Sequence, residues 1–133
     1  MLGGRMVPGL TGKAEMVVRN EDLVSHLGSI AVEVLATPRL IQLMEASSVE
    51  AIEKYLSPDQ ISLGTHVRIK HLAPTPLGMK VTAHAILKEV GGNRLLFWID
   101  AYDEKEKVAE GEHERLLVSK ERFCQKVEKK RIG

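Results

Sequence analysis

Apolar residues recur along this chain with two different periods, and the change between them divides it. Over Thr37 to Tyr55, TPRLIQLMEASSVEAIEKY, the period is that of a helix. Leu40, Ile41, Met44, Ser48, Ala51, Ile52 and Tyr55 share one side, and Arg39, Gln42, Glu50, Glu53 and Lys54 gather on the other. Thr37 stands where an N-cap would, offering its oxygen to an unpaired amide of the first turn. Pro38 follows at a position where a missing N–H costs nothing, and Ser57-Pro58 stops the helix. One residue breaks the separation. Glu45 is the only carboxylate projecting toward the apolar flank, near Ile41, Val49 and Ile52, so it must find a partner or face a cavity.

Elsewhere the period is two. Leu10 to Val18 reads as a strand, with Gly9 and Gly12 as sites of twist or bulge. Arg19 to Glu33 is mixed, and Ser29 to Leu35 covers the approach to the helix without declaring a conformation. Ser62 to Leu72 alternates, with Thr65, Val67, Ile69 and His71 on the apolar face and His66, Arg68 and Lys70 opposite. In Met79 to Val90 the inward set is Val81, Ala83, Ala85 and Leu87. Gly91-Gly92-Asn93 is a hairpin signal, and Leu95, Phe97, Ile99 and Ala101 face inward after it. Val108 to Ser119 is the last strand, and Lys120 to Arg131 is a short, frayed helical tail anchored by Phe123 and Val127.

The order is thus one strand, one long helix, then four strands joined by turns, which implies antiparallel pairing. A helix of about 18 residues, roughly 27 Å long, can lie across the concave face of such a sheet. The expected architecture is a two-layer α+β domain over residues 1–133, with its core at about 10–119 and a charged tail at 120–133.

Composition removes several classes of function. A net charge of +1 and 4% aromatic residues argue against nucleic-acid binding, which needs a basic field or stacking platforms. No apolar run approaches a membrane span, and the start lacks a signal-peptide core. The single cysteine, Cys124, excludes an intrachain disulfide and has no activating motif beside it. A cytoplasmic protein is expected. His26, His66 and His84 read as surface residues without the spacing of metal ligands, so no metal is expected.

Candidate chemistry follows from the faces. His71 and Glu45 project into the same layer, where a carboxylate can orient an imidazole that shuttles protons; the alternative is a satisfied core pair. Thr37 serves as helix cap or as a catalytic hydroxyl. Gly64 is a bulge, or a place where substrate approaches the backbone closely. Arg115 shares a face with His113 and either grips a carboxylate or phosphate or forms a salt bridge.

The stretches ATPRLIQLMEAS, SLGTHVRIKHLAPTPLGMKVT and GEHERLLV, in that order, resemble those of the fluoroacetyl-CoA thioesterase family and its hot-dog relatives. The resemblance covers about Leu10 to Lys126. It implies a hot-dog fold, a curled sheet wrapped around one long helix, and hydrolysis of an acyl-CoA thioester. Carried over residue by residue, it implies a catalytic set of Thr37, Glu45 and His71, with the Gly64 amide near the substrate carbonyl. It also implies a homodimer or higher homo-oligomer, since the family site lies at a dimer interface. Coenzyme A would enter as part of the substrate, with no separate cofactor. One departure bears on the substrate. The family member specialised for fluoroacetyl-CoA carries an aromatic lid residue before the helix, whereas SIAVEVLA, around Ala31, has none. The rival readings are a hot-dog module that binds acyl-CoA or a small ligand without turnover, and a hydratase on the same fold.

Overall fold

The computed structural model describes residues 6–26 and 31–133. Five strands, β1 (Thr11–Val17), β2 (Gln60–His71), β3 (Lys80–Gly91), β4 (Arg94–Tyr102) and β5 (Lys107–Ser119), form one antiparallel sheet in the order β1-β3-β4-β5-β2. Helix α1 (Thr37–Ile52) packs mainly on β1 and β3, with lighter contact to β4 and β2. A single 3-10 turn, Glu53–Tyr55, follows it, so the regular helix stops earlier than its apolar period suggests.

The central strands explain where the core sits. Val81, Ala83, Ala85 and Leu87 of β3 and Leu95, Phe97, Ile99 and Ala101 of β4 are all buried, in strict alternation with outward residues. The helix buries Leu40, Leu43, Met44, Ser47, Ser48, Ala51 and Ile52 against them. Its two serines are tolerated because each hydroxyl donates to a carbonyl of its own helix, Ser47 Oγ to Met44 at 2.6 Å and Ser48 Oγ to Glu45 at 2.6 Å.

Small residues let the layers meet. A Cβ on Gly12 would fall 2.1 Å from the Ser47 carbonyl oxygen and 2.4 Å from the Ala51 nitrogen, so β1 touches the helix backbone there. The expected twist or bulge at Gly12 is replaced by this close approach, and β1 pairs with β3 in unbroken register.

The start of α1 is fixed by a buried acid. Asp22 Oδ1 accepts from Arg39 Nε and Nη2, both at 2.8 Å, and Asp22 Oδ2 accepts from the Arg19 amide at 2.9 Å. The Ala36 amide donates to the Asp22 carbonyl at 2.8 Å. The covering segment is thereby tied to the helix, and single bridges join Leu23 to Leu35 and Val34 to Pro76. Its first part, Ser29 and Ile30, lies outside the described residues.

Two expectations need correction. The tail is a regular helix, α2 (Lys120–Ile132), whose Ser119 hydroxyl accepts from the Arg122 amide and is itself held by Asp59 at 2.7 Å. Thr65 leaves the inward face of β2, because the register with β5 shifts between Gly64 and His66. Before the bulge, Ser62 and Gly64 face inward opposite Leu117 and Arg115; after it, Val67, Ile69 and His71 do so.

Because the space at Gly12 is bounded by backbone, Gly12→Ala should destabilise the fold by about 1–3 kcal/mol or more. Gly91→Ala, where an added Cβ meets nothing within 4 Å, should be near neutral. Urea denaturation of the two variants checks the contrast.

Candidate active site

Thr37 is the first residue of α1 and not its cap. Ala36 occupies the cap position, and no side chain caps this end. The Thr37 hydroxyl goes instead to His71, with Oγ1 2.8 Å from Nδ1 across to the last residue of β2. Burial, the larger influence, pushes the His71 pKa below its usual 6.5, while the Ala73 carbonyl opposes the shift. The ring is therefore neutral at pH 7. His71 Nε2 is buried and makes no hydrogen bond of ordinary geometry. In the neutral tautomer that carries its proton on Nε2, Nδ1 is an acceptor for the threonine proton. The pair opens into a pocket of about 350 Å³ bordered by Val24, Val34, Leu35 and Pro74.

Glu45 belongs to a second cluster. Its Oε2 lies 3.4 Å from Arg115 Nη1 and 3.5 Å from His113 Nε2. The expected pairing of Glu45 with His71 is not made within the chain. Thr37 and Glu45 stand eight residues apart on α1, roughly 12 Å along the axis. Gly64 and His71 stand seven residues apart on β2, roughly 23 Å in an unbulged strand. The first separation carries Glu45 past the helix start to the bulge, where Gly64 leaves room for it. A Cβ on Gly64 would fall 2.5 Å from Glu45 Oε2, 3.1 Å from His113 Cε1 and 3.3 Å from Arg115 Nη1.

Arg115 is buried at 8% exposure and uses most of its donors. Nε donates to Ser62 Oγ at 2.9 Å and Nη2 to the Ser62 carbonyl at 3.0 Å. Nη1 donates to His113 Nε2 at 3.0 Å and reaches Glu45. Desolvation pulls the guanidinium pKa below its ordinary value, opposed by the Glu45 carboxylate, and the group remains cationic. Of the two sequence readings of Arg115 the structure shows the intrachain ion pair, and it places the guanidinium beside Gly64.

His113 is the residue whose part in this cluster the sequence reading missed. It is 1% exposed and stacks on Phe97 at 6.3 Å between ring centroids. The alternation of Gly111, His113 and Arg115 on one face was the available signal. Among the described residues there is no group of three acids, histidines or cysteines that could hold a metal. No helix there is long and apolar enough to cross a membrane.

A curled antiparallel sheet on one long helix is the fold of the hot-dog thioesterases. A thioesterase superfamily member from Thermus thermophilus superposes with a TM-score of 0.85 at 26% identity, covering 95% of this chain and 96% of that one. The structure of the fluoroacetyl-CoA thioesterase superposes with a TM-score of 0.89 at 35% identity, covering 96% and 98%. In sequence, the chain is 41% identical over 98 residues to the fluoroacetyl-CoA thioesterase of Streptantibioticus cattleyicolor, spanning 74% of this chain and 70% of that protein. The fluoroacetyl-CoA-specific thioesterase family profile matches residues 18–121. The chain belongs to that family, and it is a thioester hydrolase.

The crowding at Gly64 gives a direct test. Gly64→Ala should fold, because the atom it meets most closely is the movable end of Glu45. By displacing that carboxylate it should lower kcat/KM about tenfold or more. Thermal unfolding alongside thioester hydrolysis separates the two effects.

Proposed function

We propose that the protein hydrolyses a small acyl-CoA thioester at a site that two chains complete. The observation that carries this is the division of the polar residues along β2, with Thr37 and His71 at one end and Glu45, Gly64 and Arg115 toward the other. β2 is the edge of the sheet, 12 residues long, with Val67 39% exposed near its middle. Such an edge is a template for another strand. Antiparallel pairing of two copies, centred on Arg68 with Thr65 as the extra residue of each bulge, sets residue 71 of each chain opposite residue 64 of the other. Thr37 and His71 of one subunit then meet Glu45, Gly64 and Arg115 of the partner subunit.

In this reading neutral His71 takes the Thr37 proton through Nδ1 as Oγ1 attacks the thioester carbonyl. The Gly64 amide, at a glycine that admits close approach, receives the oxyanion, with the Arg115 cation beside it. The carbon–sulfur bond breaks, and the coenzyme A thiolate leaves with the proton that His71 returns. Glu45 then directs water onto the Thr37 ester, which releases the acid and restores the hydroxyl. The pocket border at Val34 and Leu35 is aliphatic, and Ala31 stands where an aromatic lid would be, which supports a short acyl group without fluorine.

Purified protein should release thiol from short acyl-CoA esters, and Thr37→Ala, His71→Ala and Glu45→Ala should each lower kcat by about 10² or more. Mixing the His71→Ala and Glu45→Ala proteins tests the shared site. At full subunit exchange activity should return to roughly a quarter of wild type, because about half the dimers are mixed and each has one intact site. Failure to recover any activity, with exchange verified, would place all three groups in one chain.

The pH dependence has a definite sign. Since burial lowers the His71 pKa from 6.5, activity should be flat above neutrality and fall only as pH drops through that lowered value. A rate profile from acid to neutral pH, measured on stable protein, checks it.

A further inference from the structure

The bulge that presents Gly64 is held from both sides by two residues of β5. Arg115 grips residue 62 before the bulge through the Ser62 hydroxyl and carbonyl. His113 grips residue 66 after it, with Nδ1 2.9 Å from the His66 carbonyl oxygen. A carbonyl only accepts, so Nδ1 carries the proton. Nε2 is then a bare lone pair, and it accepts from Arg115 Nη1 at 3.0 Å. The two contacts are compatible with one form of the ring alone, the neutral Nδ1–H tautomer. That tautomer cannot donate to Glu45, so the 3.5 Å approach of Glu45 Oε2 to His113 Nε2 is bridged by the arginine and is not an ion pair with the histidine.

We infer that His113 is a positioning residue for hydrolysis. Its ring joins the His66 carbonyl to the Arg115 guanidinium, and so fixes the Gly64 backbone and the Glu45 carboxylate relative to each other. Packing against Phe97 leaves the ring little freedom to do otherwise. This role rests on the thioesterase site proposed above, but the tautomer does not.

Of the charged and titratable groups near His113, Arg115 from β5 and His66 from β2 favour the neutral state, and Glu45 from α1 opposes it. Burial, the largest influence, lowers the His113 pKa from 6.5, and the Arg115 and His66 charges act in the same direction against the His66 carbonyl and Glu45. Protonation would remove the acceptor for Arg115 and set two cations side by side. The clamp therefore fails as pH falls.

Glutamine can copy the neutral ring, because its amide donates through nitrogen and accepts through oxygen. His113→Ala should lower kcat by about 10-fold to 10², as expected when a supporting contact is lost, with KM moving less than kcat. His113→Gln should recover most of that loss. The acid limb of wild-type kcat/KM should steepen to two protons, one from His71 and one from His113, and His113→Gln should reduce it to one. Nitrogen-proton correlation spectra of the imidazoles should place the His113 proton on Nδ1 near neutral pH.

Folded His113→Ala with kcat within about twofold of wild type, or folded His113→Gln as impaired as His113→Ala, would overturn the inference. So would a proton on Nε2, whatever the activity. Wild-type protein that hydrolyses no acyl-CoA ester would sink the proposed reaction while the spectra still decide the clamp.

Discussion

One extra residue in an edge strand sets the geometry of everything around it. At Thr65 the β2 strand carries two residues against one of β5, and the inward parity changes there. Without the shift, either Gly64 or His71 would turn outward, because an odd separation on a regular strand places residues on opposite faces. With it, both face the helix although they are seven residues apart. Bulges are common at sheet edges, and Arg115 and His113 hold both ends of this one. A buried arginine also needs its donors filled and its charge balanced, and the same contacts provide that through Ser62, His113 and Glu45. Fold and site are thus stabilised by one set of interactions.

The edge strand itself poses a second constraint. A row of 12 residues with one side unpaired invites association, and its middle carries little apolar cover in the isolated chain. The central strands have no such freedom, since their inward residues are wholly buried. The polar residues that could do chemistry are gathered toward β5 and β2, which the helix contacts least among the described strands. Packing the helix on β1 and β3, through the backbone contact at Gly12, is what leaves β5 and β2 exposed to Glu45.

Much of this was legible from pattern. Alternation in β3 and β4, the helical period after Thr37 and the turn residues located every element and most of its inward face. The parity change at Thr65 was not readable, because Thr is as compatible with either face as with a bulge. The partners of Glu45 within the chain were not readable either. Periodicity gives the direction of a side chain but not its distance along the strand, so Glu45 and His71 share a layer without meeting inside one chain. His113 was visible as a histidine sharing a strand face with Arg115. Its tautomer and its two partners depend on the bulge, and no spacing rule encodes them.

Thr37 shows the opposing demands most clearly. As a cap it would contribute about 1 kcal/mol to the helix. The hydroxyl bonds His71 instead, and the first turn of α1 goes without side-chain capping. The end is secured by other means: Pro38 presets the first turn, and Asp22 holds Arg39 within the helix through its carboxylate and the Ala36 amide before it through its main-chain carbonyl. That anchoring matters for more than stability. It holds the Ala36–Thr37 backbone in place from outside the helix, so the hydroxyl is oriented toward His71 without having to serve the amides beneath it. A residue that sequence statistics assign to capping leaves the helix end uncapped, and a buried aspartate fifteen residues upstream does that structural work instead.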